Sequence, residues 1–353
     1  MLRPAYAGTS ADLRIQRPLR GHPQENGMLR IGILGAARVA PMAILEPAAR
    51  RKDVEVVAVA AERPGSAAAF ASEHGIRKAY GRYEDLIADP GIDLIYNALP
   101  PHRHAALSVM ALESGKHVLC EKPFAMNAAE ARRMVETGER MGRKVIEAFH
   151  DRHHPVFLHL LGLAGSGRLG RIRFLKGVFN HTIPATAGEF RHSPGQGGGA
   201  LMDLGCYPLH WCRSLLNEEP KVISAAAVVA PSGVDQDITA RLAFPSGVEA
   251  EIEARMSPAW DMHARFEVEA ERGSVVLVNS LLPHRGHSVI ERIDGRLKEH
   301  TLAGGTTFDY QLEMVVRAIT DGGPVPTEGS GPVGNMTAID AIYAAAGMPA
   351  RGT

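Results

Sequence analysis

From Leu29 onward the chain alternates short, unbroken apolar runs with segments of helical composition, and that rhythm restricts the fold more than any other feature. LRIGIL, VEVVAVA, IDLIYNAL, HVLC and KVIEAF begin near residues 29, 54, 92, 117 and 144. Between them lie AALSVMALESG and NAAEARRMVETGERMG, the latter opening on Asn127 with Glu130 three positions on, the pattern of a capping box. Strands without polar alternation suit a parallel sheet covered by helices on both faces. The alternation therefore predicts an α/β domain with a doubly wound parallel sheet over residues 28–150.

After Pro155 the texture changes. RIRFLKGVFN, VISAAAVVA, ITARLAF, VEAEIEARM, ARFEVEA and GSVVLVN follow one another with few helices between them, several alternating with period two. Such alternation belongs to an antiparallel sheet with one exposed face. Residues 151–353 are thus expected to form an α+β domain with a large, open-faced, mainly antiparallel sheet. YQLEMVVRAITDGG and NMTAIDAIYAAAG close it as helices, the second ending at Gly347. A length of 353 residues accommodates two such cores. Residues 1–27 show no apolar periodicity and no secretory centre, and Met28 opens the first strand. They read as a disordered extension or a misassigned start, with a transit peptide as the alternative.

Charge narrows the partners. Lys plus Arg and Asp plus Glu both count 39, so no global field draws in nucleic acid or an anionic membrane. No run approaches the roughly 18 apolar residues of a membrane span. Cys120, Cys206 and Cys212 form no CxxC pair, which points to a reducing, cytoplasmic setting and away from a thiolate metal site. A small molecule remains as the partner.

Immediately after the first strand, Gly35, Ala36, Ala37, Arg38 and Val39 stand where a dinucleotide fingerprint asks for Gly-x-Gly-x-x-Gly. Ala37 and Ala40 replace its last two glycines, so the motif alone fits a plain strand–turn–helix equally well. The second strand runs into Glu62 and Arg63. A carboxylate there accepts from ribose hydroxyls and repels a 2′-phosphate, whereas an arginine does the reverse. Glu62 tilts the reading toward NAD over NADP; solvated loop charges are the plainer alternative.

HVLC ends in Glu121, Lys122 and Pro123, at the carboxyl end of what counts as the fourth strand, where open α/β sheets bind ligands. An ammonium there can hold a reacting oxygen and stabilise charge developing on it. In GQGGGALMDLGCYPLH, three glycines precede Asp203 and Tyr207, which share a face if the segment is helical; Pro208 fits a helix only in its first turn. A phenol beside Lys122 can move a proton, and Asp203 can orient the lysine. A surface salt bridge and a core tyrosine are the alternatives. His150, Asp151, His153, His154 and His159 concentrate potential metal ligands, but on a strand end they alternate faces, and no HExxH or second ligand cluster supports them. No metal is expected.

Taken together, GILGAARVAP, the Glu121–Pro123 triplet, EAFHDRHHP and GGGALMDLGCY resemble the Gfo/Idh/MocA oxidoreductases from about Leu29 to the C-terminus. A tyrosine four residues after the aspartate resembles the branch that includes glucose-fructose oxidoreductase, xylose dehydrogenase and dihydrodiol dehydrogenase. The resemblance implies a Rossmann domain and a sheet domain used for homo-oligomers. It also implies catalytic Lys122 and Tyr207 supported by Asp203, with Glu121, Asn97, Pro100 and His104 on the nicotinamide side. His150, Arg191 and His210 are candidates for the substrate pocket. Two departures stand out: Glu62 where many of these relatives carry Arg, and His150–Asp151 where an aromatic commonly fills the second position. The expected activity is hydride transfer between nicotinamide and a hydroxyl-bearing carbon of a sugar, polyol or cyclic diol. A non-catalytic dinucleotide sensor of the same fold is the rival.

Overall fold

Five apolar runs and one short polar edge segment build the first sheet. A computed structural model describes residues 27–258 and 262–353, so the reading of residues 1–26 lies outside the described residues. The strands are β1 (Leu29–Leu34), β2 (Val54–Ala60), β3 (Lys78–Tyr80), β4 (Leu94–Asn97), β5 (His117–Cys120) and β6 (Val145–Glu147). They pair in parallel in the order β3-β2-β1-β4-β5-β6. The order reverses direction between β1 and β4, and it is there, beyond the carboxyl ends, that such sheets open a crevice. HVLC is the fifth strand rather than the fourth, because the short, exposed KAY segment forms an edge strand with no apolar run to announce it. The helix Ala128–Met141 is capped by Asn127, whose Oδ1 accepts from Glu130 N at 3.0 Å. The Glu130 carboxylate reaches Met126 N instead of Asn127 N, one residue beyond a strict capping box.

The second sheet holds β7 (Ile172–Asn180), β8 (Lys221–Val229), β9 (Asp235–Ala243), β10 (Glu249–Arg255), β11 (His263–Ala270), β12 (Gly273–Val278), β13 (Ser288–Ile293) and β14 (Arg296–His300). Its order is β14-β13-β12-β11-β7-β10-β9-β8, antiparallel except for the β7–β10 pair. Alternation sends Ala250, Ile252 and Ala254 inward from β10, and Phe266 and Val268 from β11. The helix Cys206–Leu216 lies on that inner face. Its approach depends on Gly177 of β7, where an added Cβ would stand 2.7 Å from Pro208 Cβ. The helix Thr307–Asp321 crosses back to the first sheet, packing Phe308, Leu312, Val315 and Val316 with Ile31, Ile33 and Leu94.

Candidate active site

The crevice at the β1/β4 reversal is a cleft of about 590 Å³ bounded by both sheets, within the usual range for cofactor and small-ligand sites. A larger hollow, about 1030 Å³, lies at the amino end of the first sheet beside Asp93, His117 and Arg143, and contains none of the groups described below.

Strand β5 ends at Cys120, Glu121 N extends the ladder to Asn97 O at 3.0 Å, and the next residue delivers Lys122 into the cleft. The Lys122–Pro123 peptide is cis. Lys122 Nζ donates to Asp203 Oδ1 at 2.9 Å and to the Asp203 carbonyl at 2.8 Å. Asp203 sits in a widened helical turn, Leu201–Gly205, that runs directly into the helix Cys206–Leu216. Tyr207 and Pro208 therefore fall in the first turn of the latter, where proline is tolerated. The other Asp203 oxygen accepts from Arg191 Nε at 2.8 Å. Burial opposes ionisation of Asp203, yet the two cations hold its carboxyl far below the ordinary range. Burial likewise works against the Lys122 charge, but the adjacent carboxylate keeps its pKa raised. Arg191 continues the chain of charges to Glu189 at 2.9 Å, and Glu189 reaches Arg38 at 3.2 Å across the cleft.

Tyr207 presents its ring to Lys122, with Nζ 5.1 Å from the ring centroid, and its hydroxyl to His150 Nε2 at 3.1 Å. His150 Nδ1 lies 2.8 Å from Thr307 Oγ1, which itself donates to Leu281 O at 3.2 Å. A threonine has one hydroxyl proton and a carbonyl has none. The Thr307 proton is committed to Leu281, so Nδ1–H donates to Thr307, and Nε2 is left to accept the phenolic proton. Burial pushes the imidazole down to about 3, which keeps it neutral, and raises the Tyr207 phenol well above its ordinary value. Phe308 stacks on His150 at 4.2 Å, and Phe149 packs edge-on against Tyr207.

On the nucleotide side, Gly35 through Val39 line the cleft. Gly35 has φ +99°, in the left-handed region, and a Cβ there would meet Leu99 Cδ2 at 3.0 Å. The turn thus keeps the one glycine that its backbone requires. Glu62 and Arg63 line the far end, with Glu62 Oε1 bound by Arg103 Nη2 at 2.6 Å. Pro100 and Glu121 also line it, Glu121 accepting from Tyr96 Oη at 2.6 Å. These groups suit a dinucleotide: a tight glycine turn for pyrophosphate, a charged pair for the ribose, and Lys122 beyond.

Not every candidate reaches the cleft. Asn97 is fully buried, donating to Ser108 Oγ at 3.1 Å and accepting from Leu99 N. His104 is equally buried between the carbonyls of Pro123 and Leu99, at 3.0 and 2.6 Å. Both brace the loops behind Lys122 instead of lining the cavity. His210 stacks on Phe149 at 3.9 Å and bonds Ser214, away from the cavity wall. The histidine run forms a short 3-10 turn, His150–His153, rather than a strand end, and its side chains diverge. Asp151 accepts from Trp211 Nε1 at 2.6 Å, and burial raises it to about 7. His154 caps the helix Pro155–Gly165, and His159 meets Glu291 and His300, a grouping not visible in the linear sequence. Three contributors escaped the sequence reading. Thr307 and Glu189 carry no motif, and Arg103 stands 41 residues from Glu62, so only the fold brings that pair together.

A left-handed glycine turn at the reversal of a parallel sheet, facing a buried ammonium and phenol, defines an NAD(P)-dependent oxidoreductase. Residues 29–149 match the oxidoreductase family with an NAD-binding Rossmann fold, and residues 157–276 match the GFO/IDH/MocA C-terminal domain. The chain belongs to the Gfo/Idh/MocA family. It is 30% identical over 318 residues to D-xylose 1-dehydrogenase (NADP(+)) 2 of Haloferax volcanii, covering 90% of this chain and 97% of that one. It is 37% identical over 198 residues to a trans-1,2-dihydrobenzene-1,2-diol dehydrogenase of Xenopus laevis, covering 54% and 58% respectively. An aldose-aldose oxidoreductase from Caulobacter crescentus, solved with glycerol, superposes with a TM-score of 0.83 at 25% identity, covering 90% of this chain and 97% of that one. No helix among the described residues is long and apolar enough to cross a membrane.

Proposed function

We propose that this oxidoreductase acts on a secondary or hemiacetal hydroxyl of a sugar, polyol or cyclic diol, with Lys122 and Tyr207 as its catalytic residues. The observation that carries the reading is the meeting of Lys122, from the first sheet, with Asp203 and Tyr207, from a helix on the second, in the cleft that Gly35–Val39 also line. Bound nicotinamide supplies the hydride acceptor or donor. Lys122 holds the reacting oxygen and stabilises negative charge on it. Tyr207 exchanges a proton with the reacting oxygen, and His150 Nε2, kept neutral by burial, accepts a hydrogen bond from the phenol and orients it; the raised phenol pKa makes the protonated tyrosine the resting form, a proton donor to a carbonyl in the reductive direction. Asp203 and Arg191 fix the lysine and offer polar contacts, while Phe179, Phe190 and Phe308 line the same cleft. Such a mixture fits a hydroxylated ring with an apolar face.

NAD is the proposed coenzyme, from the Glu62 carboxylate at the ribose end, although Arg63 and the Arg103 partner temper its repulsion of a 2′-phosphate. Exposed Ile223, Val228 and Val229 on edge strand β8 support assembly into a homo-oligomer through the second sheet. The buried free thiols of Cys120, Cys206 and Cys212 support a cytoplasmic setting. The deciding experiment follows NAD(P)H absorbance with aldoses, inositols and cyclic diols, each with NAD and with NADP. Turnover on at least one class is expected. Cofactor binding without turnover on a broad panel would favour a sensor of the same fold.

A further inference from the structure

His159 leaves the histidine run for a site of its own. From the helix Pro155–Gly165 it meets Glu291 of β13 and His300 of β14, and both Nε2 atoms lie 2.8 Å from the same oxygen, Glu291 Oε1. The three donor atoms fall within 4.8 Å of one another, and the imidazoles stand edge to face at 84°. Val289 and Glu291 hold the buried positions of β13, so a carboxylate stands where the alternation calls for an apolar side chain. Lys298 pairs with Glu291, which places His300, two residues on, diagonally across the same face. A buried carboxylate is costly unless compensated. Here two imidazoles converge on one of its oxygens.

We infer that His159, Glu291 and His300 form a binding site for a divalent transition-metal ion of the zinc class. Zinc takes nitrogen and oxygen ligands at about 2.0–2.2 Å, which at tetrahedral angles separates them by roughly 3.3 Å. The present 2.8 Å contacts need to open by only about half an ångström to reach that geometry. With its proton on Nδ1, each ring offers the Nε2 lone pair to the ion. The carboxylate offsets one of the two metal charges. The His159 and His300 side chains are 28% and 17% exposed, so water has access to a fourth position. Two nitrogens and one carboxylate are a poor set for calcium or magnesium, which require mostly oxygen. None of the three residues lines the cleft. The ion ties a helix to the β13–β14 edge and stabilises the fold by mass action.

The test uses untagged full-length protein, stripped with chelator and titrated with Co²⁺, whose visible bands report tetrahedral coordination. One equivalent should bind, be displaced by Zn²⁺ and raise the Tm. Glu291→Gln and His300→Ala should each weaken binding about tenfold or more, with turnover unchanged. His159→Ala, at a helix surface, gives the same reading with less risk to folding, and circular dichroism of each stripped variant verifies the fold. Failure of the wild type to bind one equivalent, or undiminished binding by folded variants, overturns the assignment. The result is independent of the proposed substrate class.

Discussion

Lys122 Nζ and Asp203 Oδ1 lie 2.9 Å apart although 81 residues separate them in sequence, and this pair joins the two sheets at the cleft. Lys122→Ala should lower kcat by about 10²–10⁴-fold while leaving cofactor affinity nearly intact, since the lysine acts on the reacting oxygen. Asp203→Asn removes the charge that holds the lysine pKa up and leaves burial to lower it. The alkaline limb of the kcat/KM profile should then move to lower pH. Full activity in the alanine variant would end the assignment.

Tyr207→Phe deletes the proton-transferring hydroxyl and should cost a similar 10²–10⁴-fold in kcat. Thr307→Val leaves the tyrosine untouched but releases the tautomer of His150, and about a tenfold loss is expected by analogy with other orienting hydrogen bonds. Steady-state kinetics of the two variants decide the point: wild-type kcat in Thr307→Val would show that the imidazole takes no part.

Coenzyme choice should respond to Glu62. Glu62→Ala removes the carboxylate and releases Arg103, so the ratio of NADP to NAD affinity should rise about tenfold or more. Dissociation constants from fluorescence titration measure that ratio directly. An unchanged ratio would mean that Glu62 does not read the ribose.

Gly177→Ala should push the helix Cys206–Leu216 off the second sheet, because the new Cβ meets Pro208 at 2.7 Å. A stability loss of about 1–3 kcal/mol is expected from overpacking. The fall in kcat should exceed any change in cofactor affinity, because Tyr207 precedes Pro208 on that helix. Urea denaturation and kinetics on the same preparation separate the two effects.

Thermal stability should peak near pH 6.5. Burial holds His117, His153 and His154 at about 4 and His150 at about 3, against 6.5 for an ordinary histidine. The unfolded chain therefore takes up their protons first, so their stabilisation is complete above pH 6.5 and is lost as the pH falls toward 4. Burial raises Glu147 to about 8 and Asp151 to about 7. Their contribution is complete below the ordinary carboxyl range and is lost as the pH climbs through 7 and 8. From pH 4.5 to 6.5 the four histidines outweigh the two carboxyls, and above that the carboxyls act alone. Each group contributes a slope on the order of 1 kcal/mol per pH unit. Calorimetric Tm values from pH 5 to 8.5 trace the curve, and a flat profile would contradict it.

Apolar pattern made most strands legible, and its absence hid the others. β1, β2, β4, β5 and β6 announce themselves because both faces of the first sheet are covered. β3 is short and exposed; β13, SVIERI, also went unread, because Glu291 fills one of its two buried positions; and β14, RLKEH, is an edge strand with polar side chains on both faces. The Glu121–Pro123 triplet was readable because charges at the end of a buried strand lack a packing reason. Thr307 and Glu189 were not, because their roles arise only from contacts with residues 157 and 151 positions away. Asn97 and His104 illustrate the converse error: a motif marks a position as important without telling whether the side chain faces ligand or braces the loop behind it.

The return of the helix Thr307–Asp321 to the first sheet has a bearing on biosynthesis. During translation, the strands that cradle the nucleotide leave the ribosome long before Phe308, Leu312 and Val315 arrive to cover their flank. A nascent chain halted in between leaves open the part of the cluster around Ile31, Ile33 and Leu94 that the helix later fills, apolar surface that chaperones bind and that aggregation exploits.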